Sequence, residues 1–199
     1  MEEAGGGEAN IRARLKFQRI EDCANAHRIL GITKHHSGKR IIQRTWRGMC
    51  HIMLRLEGKV PNVDNIRNYQ ADYLGRSDGS SLLCELMPIP KPSLNHWGYE
   101  ALIPQFESPE MYYQMVMPRR MNYLRELLTE HRPQIVIGYG RRYWQEYQDL
   151  FEKAAFSRHG RFMVAQHQGT RVILTDHFTA RTMNGKLDEV VALANKGSS

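Results

Sequence analysis

The segment Arg171-Val-Ile-Leu-Thr-Asp-His177-Phe-Thr-Ala-Arg181 constrains this chain more than any other. A run so rich in Val, Ile and Thr reads as a buried strand. It ends in Asp176 and His177, and residues 184–194 behind it read as a helix. A histidine at the carboxyl end of a buried strand, in front of a helix, sits where open α/β folds gather their chemistry.

The rest of the chain alternates in kind. Residues 9–30 read as a helix with Ile11, Leu15, Ile20 and Ala24 on one face, stopped by Gly31. Residues 33–39 read as a solvated basic loop carrying His35 and His36. Ile42, Trp46, Met49, Met53 and Leu56 keep the 3.6 period, which predicts a helix over 40–57. Asn62 is placed to cap a third helix carrying Val63, Ile66 and Tyr73. Residues 80–86 read as a strand, and the prolines of 88–92 then permit neither helix nor interior strand. Helical pattern returns near Pro109, and Pro118 is suited to start a further helix with Met121, Leu124, Leu127 and Leu128 inward. Residues 134–138 are a second clear strand, leading through Tyr139 and Gly140 into a helix with Trp144, Tyr147 and Phe151. Trp46, Trp144 and Tyr147 follow helical spacing and are expected in the core, and residues 161–164 read as a short edge strand. This alternation predicts one α/β domain over 1–199, its mostly parallel sheet covered on both faces. The Gly-rich acidic turn at residues 2–7 resembles a strand-to-helix turn with no strand before it. Either the start lies upstream or the fold does without a first strand.

Charge narrows the partners. With 28 Lys and Arg against 21 Asp and Glu, the formal net charge is +7. That balance favours a polyanion, nucleic acid being the usual one, against the plainer reading of a basic cytosolic protein. No 18-residue apolar run exists to span a membrane, and residues 1–10 do not form a signal peptide. Cys23, Cys50 and Cys84 form no C-x-x-C pair, which fits a reducing, cytoplasmic setting, buried thiols and no structural zinc. The histidines show no metal-ligand spacing, so neither metal nor cofactor is expected. The absence of a G-x-x-x-x-G-K-[ST] loop weighs against an NTPase.

Taken in order, these segments resemble the uracil-DNA glycosylase superfamily, whose members cleave a base from its sugar in DNA. His177-Phe178-Thr179-Ala180-Arg181 stands in place of that family's final His-Pro-Ser-Pro motif. Residues 134–140 resemble its third strand and aromatic-glycine end, and Leu82-Leu83-Cys84-Glu85 resembles the second strand, where many members carry Leu-Leu-Asn. Met1-Glu2-Glu3 resembles the interior of the first motif, without its proline. The likeness is most specific to atypical prokaryotic and phage members. It implies a three-layer α/β/α sandwich with a mostly parallel four-stranded sheet, its first strand missing or truncated, and a monofunctional glycosylase acting by base flipping without a cofactor.

On that resemblance each residue type acquires a role. Glycosidic hydrolysis builds positive charge on the sugar and negative charge on the departing base. Glu2 or Glu3 would stabilise the cation and activate water. The plainer reading is an acidic pair favourable to a helix N-terminus. His177 would donate a hydrogen bond to the leaving base, or be a histidine satisfied by backbone. Glu85 stands where uracil-removing members carry an amide. A carboxylate only accepts, which suits the exocyclic amine of a cytosine, so a modified cytosine is the expected substrate. Alternatively, Glu85 pairs with an arginine. Trp97 and Tyr139 would stack on the extruded base. Arg181 would act as the wedge, with Thr179, Arg141, Arg142, Lys39 and Arg40 contacting the DNA backbone. The expected partner is DNA, single- or double-stranded, including phage DNA with glucosylated hydroxymethylcytosine, bound by a monomer in the cytoplasm. Residues 5–7 would leave room for a bulky substituent. The rival readings are a non-catalytic DNA-binding module of the same fold, a uracil-removing repair enzyme, and an α/β enzyme for a small nucleotide.

Overall fold

A computed structural model describes residues 7–89, 97–152 and 154–196. Within them the chain forms seven α-helices and one four-stranded sheet. The chain divides into two compact units: residues up to Ile41 with Ala71–Tyr123, and Ile42–Gln70 with the chain from Leu124 onward.

The first unit holds α1 (Gly7–Arg14), α2 (Cys23–Ile29) and the start of α5 (Pro109–His131). The helix predicted over 9–30 is two helices separated by residues 15–22, and Asp22 starts the second. Its carboxylate accepts the backbone N–H groups of Ala24 and Asn25 at 3.0 Å each, which starts a new helix at Cys23. The same carboxylate accepts Ser77 N–H at 3.0 Å and faces Arg76 at 3.2 Å. Burial pushes the Asp22 carboxyl up, and the donors and Arg76 together hold it below the usual carboxylate range. The helix pattern near Pro109 and the one at Pro118 are a single helix, with Pro118 inside it. Proline leaves the carbonyl four residues back without its N–H donor. Here that residue is Gln114, on the exposed side, where water can serve it.

Two further expectations fail in this unit. Residues 81–85 form no strand. Leu82 is 46% exposed, and the Glu85 carbonyl, which a ladder would need, accepts Arg120 Nε–H at 2.8 Å. The loop at 33–39 is exposed except at its histidines: His35 is only 2% exposed and His36 half-buried, beside the buried His27. His35 Nδ1–H donates to the Ile41 carbonyl at 2.6 Å. His36 Nδ1 lies 3.4 Å from the Ala71 carbonyl, so that nitrogen carries the proton, and His36 Nε2 accepts from His27 Nδ1–H at 3.0 Å. Three imidazoles thereby replace water for one another and for two carbonyls. Burial lowers the His36 pKa.

The second unit holds α3 (Arg44–Leu56), α4 (Val63–Asp72, whose last residues lie past the unit boundary), the rest of α5, β1 (Ile135–Tyr139), α6 (Trp144–Leu150), β2 (Ser157–His159), β3 (Phe162–His167), β4 (Thr170–Thr175) and α7 (Leu187–Asn195). Asn62 caps α4 as expected, its Oδ1 accepting Asn65 N–H at 2.8 Å. The strand order is β1-β4-β3-β2. Only β1 and β4 are parallel, with Tyr139 opposite Thr175. The pairs β3–β4 and β2–β3 are antiparallel, so the sheet is mixed rather than mostly parallel. The cause is local. Gln168 and Gly169 both have positive φ, 48° and 87°, and form a two-residue turn that folds β4 back on β3. The expected edge strand at 161–164 is therefore an interior strand, paired on both sides.

Ile52, Phe162, Val164, Ile173, Met183 and Val190 form the core where α3 and α7 meet the sheet. Next along β4, Leu174 turns the other way and meets Gly138, over which Tyr147 of α6 packs. Trp46, Trp144 and Tyr147 are half-buried. Cys50 is buried as expected, Cys23 is intermediate and Cys84 is exposed. Among the described residues no helix is long and apolar enough to cross a membrane.

Candidate functional site

The parallel pair delivers its two carboxyl ends to the same place. The Thr175 carbonyl accepts Gly140 N–H and Trp144 Nε1–H, each at 3.0 Å, which binds the end of β4 to the turn after β1. Asp176 follows, only 7% exposed. Its Oδ2 accepts Thr182 Oγ1–H at 2.7 Å and faces Arg161 Nη1 at 3.3 Å, while that same nitrogen donates to the Thr182 carbonyl at 2.5 Å. A buried carboxylate needs such partners, and here they brace the chain on both sides of His177.

His177 is accessible from one side and crowded on the other. Thr179 N–H donates to its Nδ1 at 3.3 Å, and a backbone N–H can only donate, so Nδ1 is the bare acceptor. The Thr179 hydroxyl sits 2.8 Å from the same nitrogen and donates there too. The ring proton is thereby placed on Nε2. Partial burial lowers the His177 pKa and keeps the imidazole neutral near pH 7. Tyr139 meets the His177 ring edge-on at 5.4 Å and stacks on Phe178 at 5.0 Å. Phe178 in turn lies against α3: a Cβ on Gly48 would come 2.8 Å from Phe178 Cβ. The arrangement presents a neutral N–H donor beside an aromatic wall.

Three arginines expected near the strand ends lie in this unit, and all are exposed. Arg141 stands 5.2 Å over the Trp144 ring. The guanidinium groups of Arg142 and Arg181 make no hydrogen bond or ion pair with a described residue. Arg44 precedes Gly48 by four positions, so it lies on the helix face that meets Phe178. The other expected residues belong to the first unit. Arg40 is committed to Asp72 through bonds of 2.8 and 3.1 Å, which holds it in structure, and Lys39 is exposed. Trp97 donates its indole N–H to the Phe106 carbonyl at 2.7 Å and packs against Tyr99 and Tyr112. Glu85 is half-buried, and its charge acts on the half-buried guanidinium of Arg14, whose pKa burial lowers and Glu85 partly restores. Glu2 and Glu3 lie outside the described residues, as do residues 5 and 6.

Sequence reasoning missed Asp176 as a brace, Phe178 as the partner of Tyr139, and Gly48 as the place where a helix approaches the loop. The signal for the first was the acid immediately before His177 at a strand end. Among the described residues no group of three or more His, Cys, Asp or Glu side chains could hold a metal ion. Compared with known proteins, the chain matches no family model, no curated protein and no solved structure.

Proposed function

We propose that the protein is a DNA glycosylase that hydrolyses the N-glycosidic bond of a flipped, modified cytosine and leaves an abasic site. The observation that carries this reading is the bond from Thr179 N–H to His177 Nδ1. It fixes Nε2–H as the outward donor, and a departing pyrimidine offers its O2 as the matching acceptor. As the bond to the sugar breaks, electrons move onto the base, and a preset donor gains strength with that charge. Water supplies the hydroxyl that closes on the sugar, and its proton ends on the base. Glu2 or Glu3 is the proposed carboxylate for the sugar cation, Tyr139 the stacking ring, and Arg141, Arg142 and Arg181 the groups that hold the DNA backbone. Glu85 is the proposed acceptor for the cytosine amine. The three-layer arrangement belongs to the same reading, supported by Ile173 and Leu174 packing on different helices. So do action on DNA as a monomer and a cytoplasmic setting.

The test is mass analysis of bases released from DNAs carrying uracil, cytosine and 5-substituted cytosines. Release of a modified cytosine, cut about 10²–10³-fold by His177→Ala, is expected. Preference for uracil would end the role given to Glu85. The mixed sheet departs from the parallel one of the family resembled, and this favours a second reading, a DNA-binding module without hydrolysis. DNA bound with no base released from any substrate selects it.

A further inference from the structure

The first unit carries a groove that the proposed chemistry does not use. It is lined by Phe106, Met115, Val116, Arg119, Arg120 and Tyr123 and has a volume of about 500 Å³. Its floor is apolar, and Met115 is 45% exposed. Met111, one turn earlier on α5, is 41% exposed, so Met111, Met115 and Arg119 follow one another at helical spacing as an uncovered stripe. The wall is cationic. Arg120 lies 4.9 Å over the Tyr123 ring and holds that plane by donating Nε–H to the Glu85 carbonyl at 2.8 Å. Arg19 stands 5.5 Å from the same ring, and the Tyr123 hydroxyl donates to the Arg19 carbonyl at 2.5 Å. Arg119 is exposed, and its guanidinium makes no hydrogen bond or ion pair with a described residue. The nearest acids in sequence, Glu107, Glu110 and Glu126, do not line the groove.

We propose that this groove binds single-stranded DNA, seating an unstacked base on Phe106 and Met115 with its phosphate on Arg119 and Arg120. An apolar floor beside fixed guanidinium planes is the pairing that single strands use, because every base has a flat face and every link a phosphate. The Arg120 guanidinium, laid on Tyr123, loses little freedom on binding and keeps its outer N–H groups for phosphate, and Arg119 adds a second charge beside it. The net charge of +7 is on the side of a polyanion. A duplex turns its bases inward and would leave the Met111–Met115 stripe uncovered, so it is the poorer occupant. An acidic peptide matches the arginines but not the flat floor.

The experiment is fluorescence anisotropy with labelled oligothymidylate over a range of salt. Arg119→Glu is expected to weaken binding at least tenfold and to reduce the log–log salt slope by about 0.7 for each phosphate that is no longer neutralised. Met115→Glu is expected to weaken oligothymidylate more than an abasic oligomer of the same charge. Wild-type binding of the abasic oligomer as tight as that of oligothymidylate would overturn the seating of a base. Unchanged oligothymidylate binding by Arg119→Glu, with circular dichroism showing the variant folded, would overturn the groove. Equal loss for duplex and single strand would reduce the groove to a phosphate site and overturn the strand preference. The proposal takes from the glycosylase reading only that the partner is DNA. Binding is measured without any base release, so an inactive protein that still needs Arg119 for oligothymidylate refutes the hydrolysis and leaves the groove standing.

Discussion

Gly48→Ala sets two effects of known size against each other. Gly48 is the fifth residue of α3 and is buried. In a free helix, alanine there would stabilise by about 0.8–1.0 kcal/mol. The new Cβ, however, would stand 2.8 Å from Phe178 Cβ, 2.9 Å from Cγ and 3.4 Å from Cδ1. Carbon atoms pack at about 3.5–4.0 Å, and the nearest atoms belong to the root of the side chain rather than to a tip that swings aside. Phe178 is also held by its stack on Tyr139. Overpacking of this kind costs about 1–3 kcal/mol. The balance is a net loss of about 1 kcal/mol, or about 2–4 °C in Tm for a chain of this size. Thermal and urea unfolding would measure it. Phe178→Ala removes two of the three clashing atoms, so it should cost less in the Gly48→Ala background than alone, with a coupling of about 0.5–1 kcal/mol. A Gly48→Ala protein that melts higher, with additive costs in the double variant, would refute the close approach of α3 to this loop.

The nitrogen-15 spectrum of His177 should show the Nε2–H tautomer at pH 7 and a pKa below the usual value of about 6.5; an Nδ1–H signal contradicts the Thr179 bond that orients the ring. Asp22→Ala should cost about 0.5–2 kcal/mol through loss of the α2 cap. Because the folded carboxyl lies below its unfolded value, that contribution is present above the unfolded pKa and fades as pH falls through the folded one, so wild type and variant should converge in acid. His36 has its folded pKa below the unfolded one, so the unfolded chain takes up its proton first and stability should fall as pH drops below about 6.5. His36→Gln should flatten that slope in urea titrations between neutral and mildly acid pH, and an unchanged slope would place the titration elsewhere.

β4 is buried along nearly its whole length, so it shows as an uninterrupted signal. α3 was legible as a helix from its 3.6 period, but its buried residues are Gly48, Cys50, Ile52 and Leu54, on two sides of the helix, while Ile42, Trp46, Met49, Met53 and Leu56 are half-buried. What pattern concealed was set by single residues acting through the backbone. Asp22 gives the second half of one apparent helix its own start, because a carboxylate can satisfy N–H groups from outside the helix. Gln168 and Gly169 reverse the chain between two strands, and that choice alone turns an expected parallel neighbour into an antiparallel one. At residues 81–85 local composition says strand, but an arginine from far along the chain takes the carbonyl that a ladder would need. His35 and His36 read as solvated by composition, yet they are enclosed because each finds a partner that no periodicity displays. For the site, His177 and its place at a strand end were legible, and so was the aromatic character of Tyr139. The brace at Asp176, with partners at positions 161 and 182, required the fold.

The Thr179 bonds to His177 span two residues, and the Ala180 N–H returns to the His177 carbonyl at 2.8 Å. Whatever aims the imidazole therefore travels with it. The ring's tilt against its own turn is set within four residues, while the place of that turn is set from outside, by Asp176 held at Arg161 and Thr182 and by Tyr139 against the ring. Aim and position thus have separate owners, and a change at positions 161 or 182 can move the imidazole without turning it.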